Sequence, residues 1–268
     1  MANKISTWQI GRIKITRVIE GEGVGPLFVL PDATPENIIK MPWLQPHFAD
    51  SDGNTIASIH ALILETPDKC IMVDTCLGND KERHIPEWNM LHTKFLENLE
   101  RAGYSTEKID TVLCTHMHTD HVGWNTILTN DQWEPTFKKA DYLFGKKEWE
   151  HTEKQLENPL FAEFINDSII PIIESGLVKF VETDEEICEG ITLEPTAGHT
   201  PGHVSVRINS EGHKAAITGD FLHHPSQMEK LEWESIADWD KELAKKTRKS
   251  KLSEYADENI LVFGTHFA

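Results

Sequence analysis

No stretch of this 268-residue chain approaches the roughly 18 consecutive apolar residues that a membrane-spanning helix needs. The start offers no signal peptide either: Met1-Ala2-Asn3-Lys4 leads into mixed polar sequence rather than an apolar run, so a cytoplasmic protein is expected. Cysteine is sparse. Cys70, Cys76, Cys114 and Cys188 are scattered with no Cys-x-x-Cys pair, which argues against a disulfide framework and against a thiolate zinc site. Cys114 lies inside an apolar run and reads as a core residue. Positive charge is also short, with 26 Lys and Arg against 44 Asp and Glu and a net charge of −18. A phosphate-backbone partner needs a basic surface, so no nucleic acid and no membrane partner is expected. A few bound cations would offset little of that charge, and most of it belongs to a solvated acidic surface. A Gly-rich phosphate loop, internal repeats, linkers and low-complexity segments are missing too, and no Ser-His-Asp arrangement needs to be invoked.

What the sequence does have is residues 109–124, IDTVLCTHMHTDHVGW. An apolar, β-rich run from Ile109 to Cys114 leads straight into His116-Met117-His118-Thr119-Asp120-His121. At a strand end His116 and His118 are two apart and point the same way, so both can reach one ion. Asp120 and His121 follow as the chain turns and can serve a second ion alongside. Imidazole and carboxylate are ligands common to zinc, iron and manganese. A polar loop that merely happens to be rich in His is the bland alternative, and so dense a cluster at this spacing argues against it.

Elsewhere the patterning predicts a mixed α/β chain. Strands are expected at 8–20, Ile59–Thr66, Cys70–Asp74, Ala140–Phe144, Leu177–Val181, Ile191–Pro195, Val204–Ile208 and Ala215–Thr218. Helical spacing runs through Trp88, Leu91, Phe95, Leu96, Leu99 and Ala102, with Gly103 as the stop. Further helices are expected at 146–154, around 161–173 with breaks at Pro159 and Pro171, and at 235–257, where Ile236, Trp239 and Leu243 share a face. Residues 26–53, with five prolines, read as an irregular excursion with one helical turn. In it Phe28, Trp43 and Phe48 either pack on the outside of the domain or line a substrate pocket.

The His-x-His-x-Asp-His stretch resembles the signature of the metallo-β-lactamase superfamily, and the rest of that family's pattern follows in order. Ala197-Gly198-His199-Thr200-Pro201-Gly202-His203 is similar to its Gly-His-Thr-x-Gly-His segment, Asp220 in Thr218-Gly219-Asp220 matches its bridging Asp, and His266 in Gly264-Thr265-His266 its last His. The resemblance implies a four-layer αββα sandwich formed by one domain, residues 1–268; the excursion at 26–53 either packs on its outside or borders the active site. It implies two divalent ions, zinc foremost, with iron, manganese or cobalt as alternatives. His116, His118 and His199 would hold the first, Asp120, His121 and His266 the second, and Asp220 both. A metal-bound hydroxide would then attack the substrate, with Asp120 orienting it and taking its proton. Asp74-Thr75-Cys76 is similar to the family's Asp-Thr-Gly, and implies that Asp74 supports the ligands.

Departures from the family's branches select the substrate. After His121 the chain reads Val122-Gly123-Trp124, without the second glycine usual in glyoxalase II-type thiolester hydrolases, and it ends two residues after His266, without their C-terminal helical region. His118 stands where diiron redox relatives carry Glu. Gly219-Asp220-Phe221-Leu222-His223 resembles methyl parathion hydrolase and related lactonases and arylesterases, whereas acyl-homoserine lactonases place Tyr at the position of His223. His223 could donate to the developing oxyanion or the leaving group; capping of its own loop is the alternative. His203 is expected to anchor its loop. The function implied is hydrolysis of a lactone or ester, with phosphotriesters as a side activity. The alternatives are a mononuclear iron persulfide dioxygenase, which shares the signature, and a glyoxalase II-like thiolester hydrolase. A homodimer is left open.

Overall fold

The computed structural model describes residues 5–268, so the Met1-Ala2-Asn3-Lys4 segment considered for a leader lies outside the described residues. The chain divides into two compact units, residues 1–20 with 59–182, and residues 21–58 with 183–268. Strands and helices are numbered here in chain order.

The first unit is built on a sheet in the order β1 (Ser6–Ile10), β2 (Ile13–Gly25), β3 (Thr55–Glu65), β4 (Cys70–Val73), β5 (Thr111–Leu113), β8 (Asp141–Gly145), β9 (Val178–Val181), with β2 and β3 running on into residues counted with the second unit. β1 and β2 form a hairpin with Ile10 opposite Ile13 and Gly11 at φ 54 in the turn. The sequence predicts one strand at 8–20, because the apolar alternation continues through this tight reversal and hides it. β4, β5, β8 and β9 are mutually parallel. Both faces of such a sheet are covered, which is why Cys70-Ile71-Met72-Val73 is apolar and buried throughout rather than alternating. The core gathers Met72, Val112, Tyr142 and Phe144 from these strands with Phe95 and Leu99 of α2 (Phe95–Arg101).

That helix starts seven residues later than the apolar spacing suggests. Met90 lies at φ 49 and donates its N–H to the Lys81 carbonyl, while Asp80 donates to Leu91, so the segment is tied into a loop instead. A hairpin of β6 (Thr126–Thr129) and β7 (Gln132–Pro135) was not anticipated. α4 (Lys146–Thr152) follows β8, and α5 (Pro159–Phe164) passes through a π-helical turn, Ile165–Ile169, into α6 (Ile170–Glu174). Asp167 in that turn takes the Arg83 guanidinium through two hydrogen bonds, at 2.7 and 3.0 Å, with Lys81 at 3.4 Å. The Lys81 ammonium also lies 3.7 Å from the centre of the Trp133 ring, so the unexpected hairpin covers a buried charge cluster.

The second unit carries a sheet in the order β10 (Glu186–Cys188), β11 (Ile191–Pro195), β12 (Val204–Ser210), β13 (His213–Ile217), β14 (Leu261–Phe263), antiparallel except for β13 with β14. α8 (Lys241–Asp257) buries Ala244, Arg248 and Tyr255 and turns its lysines outward. The helix does not begin at 235 as the spacing predicts. Asp240 caps it by accepting the Leu243 N–H at 3.0 Å, and the N–H groups of Trp239 and Asp240 are spent on the carbonyls of His199 and Gly198. Ile236 and Trp239 are accordingly exposed loop residues. The proline-rich excursion holds α1 (Pro35–Ile38) and a 3-10 turn at Pro42–Leu44, and packs Leu30, Ile38, Met41 and Leu44 against Trp233. α7 (Ser226–Glu229) supplies Glu229, which accepts the indole N–H of Trp43 at 2.9 Å.

Candidate functional site

In the first unit the candidate ligands sit beyond the carboxyl end of β5, where the parallel strands β4 and β8 also end. β4 leads into Asp74, whose buried carboxylate organises everything after β5. It accepts the Thr115 N–H at 2.8 Å and the Thr115 hydroxyl, and takes His121 Nδ1 at 2.9 Å. The hydroxyl, having given its proton to Asp74, accepts from His116 Nδ1 at 3.1 Å. Both imidazoles are thereby fixed with Nε2 as the lone-pair nitrogen. His116 Nε2 and His118 Nδ1 converge to 3.1 Å. Asp120 Oδ2 lies 3.7 Å from His121 Nε2. Lone-pair nitrogens and a carboxylate oxygen drawn together in this way form a donor set for a divalent cation, and the fit is good.

Asp74 and Cys76 both have positive φ, 57 and 53°. Asp tolerates that conformation, and Cys76 occupies the position where the resembling family has glycine. Its thiol is buried and burial drives its pKa up, so it is no nucleophile. The residues after Asp74 then pair with the end of the motif: Thr75 N–H to His121, Gly123 N–H to Cys76, and Trp124 N–H to Thr75. A Cβ on Gly123 would stand 1.9 Å from the Leu77 carbonyl, so no other residue fits there. Glu20 closes this layer, accepting the N–H groups of Leu77 and Gly78, the Trp124 indole at 2.6 Å and the Thr93 hydroxyl. Burial pushes its carboxyl pKa up, and those four donors pull it back.

In the second unit Asp220 is the centre. It follows β13 on a short turn, Gly219–Phe221, and its backbone N–H donates to His203 Nε2 at 2.8 Å. His203 Nδ1 donates in turn to the Thr196 hydroxyl at 2.8 Å, so His203 anchors its loop as expected. Gly219, at φ 57, leaves no room for a side chain: a Cβ would stand 2.6 Å from His203 Nε2. Asp220 Oδ1 accepts the Thr265 hydroxyl, and Oδ2 faces His266 Nε2 at 3.2 Å, His223 Nε2 at 3.4 Å and His199 Nε2 at 3.7 Å. His199, Asp220 and His223 offer ligand atoms within 4.8 Å of one another. The far nitrogen of His199 meets Asp238 Oδ1 at 3.0 Å, and that of His266 meets the Ser58 carbonyl at 3.2 Å. Again Nε2 is left as the lone-pair side. His223 is buried, and desolvation holds its pKa well below the ordinary value, so it is a neutral imidazole.

Each predicted residue thus lies in one of two clusters: His116, His118, Asp120 and His121 in the first unit, His199, Asp220, His223 and His266 in the second. Sequence reasoning missed Thr115, Asp238 and Ser58 as supports, because nothing in their local spacing marks them. Trp43 is 48% exposed and bound to Glu229, while Phe48 packs edge-on to Phe267, the neighbour of His266, with ring centres 5.9 Å apart. His84 and His92 pair with the carboxylates of Glu163 and Asp80 on exposed side chains.

The metallo-beta-lactamase superfamily profile matches residues 55–255. The chain belongs to that superfamily. An N-acyl homoserine lactonase of Bacillus cereus is 26% identical over 220 residues, covering 76% of this chain and 79% of the lactonase. Among solved structures, the hydrolase AbOPH of the beta lactamase superfamily superposes with a TM-score of 0.80 at 23% identity, over 99% of this chain and 91% of that one. The dizinc quorum-quenching lactonase AidC, in complex with a product, superposes with a TM-score of 0.76 at 20% identity, over 98% and 90%. The fold is the α/β fold of the superfamily, as the sequence led one to expect, and the protein is a metal-dependent hydrolase. No helix among the described residues is long and apolar enough to cross a membrane.

Proposed function

We propose that the protein is a dinuclear lactone or aryl ester hydrolase, with phosphotriesters as a side activity. One observation carries the reading. Four candidate ligand histidines, His116, His121, His199 and His266, each have Nδ1 committed to an oxygen of the protein, and each presents Nε2. Histidines so held are oriented for metal before any metal arrives. In this reading His116, His118 and His199 would hold one ion, Asp120, His121 and His266 a second, and Asp220 would serve both, with zinc a metal that suits imidazole and carboxylate. Two such ions would make a water acidic enough to attack at neutral pH and would polarise the scissile carbonyl. The remaining work falls to side chains. Asp120, on the turn of helix α3 (Thr119–Val122) with its side chain only 12% exposed, would receive the proton of the attacking water. Neutral His223 has a proton to give, and hydrogen-bonds the oxygen on which charge develops.

The Bacillus lactonase supports the substrate class, and the product-bound lactonase structure supports a ring-opening reaction on this fold. Residues 1–268 act as one catalytic domain with a small-molecule substrate in the cytoplasm. The deciding experiment measures metal content of the purified protein and its turnover of lactones, aryl esters, phosphotriesters and thiolesters. Two zinc ions per chain with lactone or aryl ester turnover is the expected result. A single iron with oxygen-dependent persulfide oxidation would replace it by the dioxygenase reading, and thiolester turnover alone would move it to the glyoxalase II branch.

A further inference from the structure

Asp238 belongs to no motif, yet it is the most completely enclosed carboxylate beside a candidate ligand. Its side chain is fully buried, as is that of Arg248 on α8. Oδ1 meets His199 Nδ1 at 3.0 Å, and Oδ2 accepts the Ser235 N–H at 3.1 Å. Arg248 Nη2 stands 3.9 Å from Oδ2, while the rest of its guanidinium donates to the carbonyls of Phe221, Leu231 and Trp233. One arginine therefore ties the chain just after Asp220 to the loop that carries Asp238. The same loop grips the His199 turn by its backbone, Trp239 N–H to His199 and Asp240 N–H to Gly198. α8 presses on the other side, where a Cβ on Gly198 would stand 2.5 Å from the Ala244 backbone.

We propose that Asp238 is the positioning residue of His199: it accepts a hydrogen bond from Nδ1–H, locks the ring in that tautomer, and so aims the Nε2 lone pair at the ligand cluster around Asp220. A carboxylate behind a ligand imidazole also raises the basicity of the ligating nitrogen. The inference rests on the dinuclear reading for its purpose, though not for its geometry.

Asp238→Asn is the sharp variant. The Ser235 N–H still needs an acceptor, so the amide oxygen goes there and the NH₂ faces His199, where it favours the Nε2–H tautomer. Long-range ¹H–¹⁵N spectra of the metal-free protein, with His199 assigned by its loss in His199→Gln, read the tautomer directly. Competition against a chromophoric chelator reads zinc affinity, and thermal unfolding checks the fold. The expected result is Nδ1–H in the wild type, a shift toward Nε2–H in Asp238→Asn, zinc affinity weaker by about 10–100-fold for one ion, and partial recovery of both in Asp238→Glu. An Nε2–H tautomer in the wild type, or unchanged affinity in a folded Asp238→Asn, overturns the inference. If the wild type binds no zinc, the dinuclear reading fails and the tautomer alone judges Asp238. If Asp238→Asn does not fold, the tautomer of His199 in the metal-free wild type decides: Nδ1–H supports the inference and Nε2–H overturns it.

Discussion

The two units solve one problem by different means. In the first, four candidate ligands come from six consecutive residues at the end of β5, and a single carboxylate, Asp74, reaches His121 directly and His116 through Thr115. In the second, His199, Asp220, His223 and His266 come from three separate strand ends, and three of them have a support of their own: Asp238 behind His199, Ser58 behind His266, His203 beneath Asp220. A contiguous motif can be held by one residue, whereas dispersed ligands need a separate fixture for each. Damage should therefore spread across the whole first cluster but stay local in the second.

The contrast can be broken or sharpened by substitution. Asp120→Asn removes the proton acceptor in the proposed reaction, and lactone turnover at saturating metal should fall by about 10²-fold or more in steady-state assays. Near-full turnover would remove Asp120 from the chemistry. Asp74→Asn should act on the whole first cluster, weakening metal by about 10–100-fold at more than one site in chelator competition, where a fixture of the second cluster affects one ion. Equal, single-site losses in both units would end the comparison. Gly219→Ala places a methyl against His203 in a left-handed backbone, and should destabilise by about 1–3 kcal/mol in urea unfolding. His223→Phe keeps the ring and loses its N–H, and should lower kcat about tenfold with little change in KM. An unchanged kcat on both a lactone and an aryl ester would leave His223 with a packing role only.

The same contrast explains what the sequence reveals. The first cluster is legible because strand, turn and ligands are adjacent in the chain, so periodicity and spacing report on them together. The layered α/β character is legible for the same reason, in the buried run Cys70-Ile71-Met72-Val73 and the alternation of Val204, Val206 and Ile208. His199, Asp220 and His266 could be picked out only through their likeness to a known pattern, since nothing local links residues so far apart. Asp238 was hidden entirely: it lies 39 residues from the imidazole it holds, in a stretch whose apolar spacing imitates a helix. The misplaced helix starts at 88 and 235 have one cause, because hydrophobic periodicity cannot see backbone N–H groups already committed elsewhere. The β6–β7 hairpin stayed invisible because its strands are only four residues long and mostly half-buried, with no apolar–polar alternation to mark them.

Glu20 has a consequence for the time axis of the molecule. Its carboxylate stands in for a neighbouring strand, accepting the N–H groups of the loop residues Leu77 and Gly78. Those two loop amides should exchange with solvent deuterium as slowly as amides of the central strands, because releasing them exposes a buried acid and the Trp124 indole together. The segment behind the ligand motif would then open only when the sheet itself opens, so the first cluster would keep its shape through every local fluctuation short of unfolding.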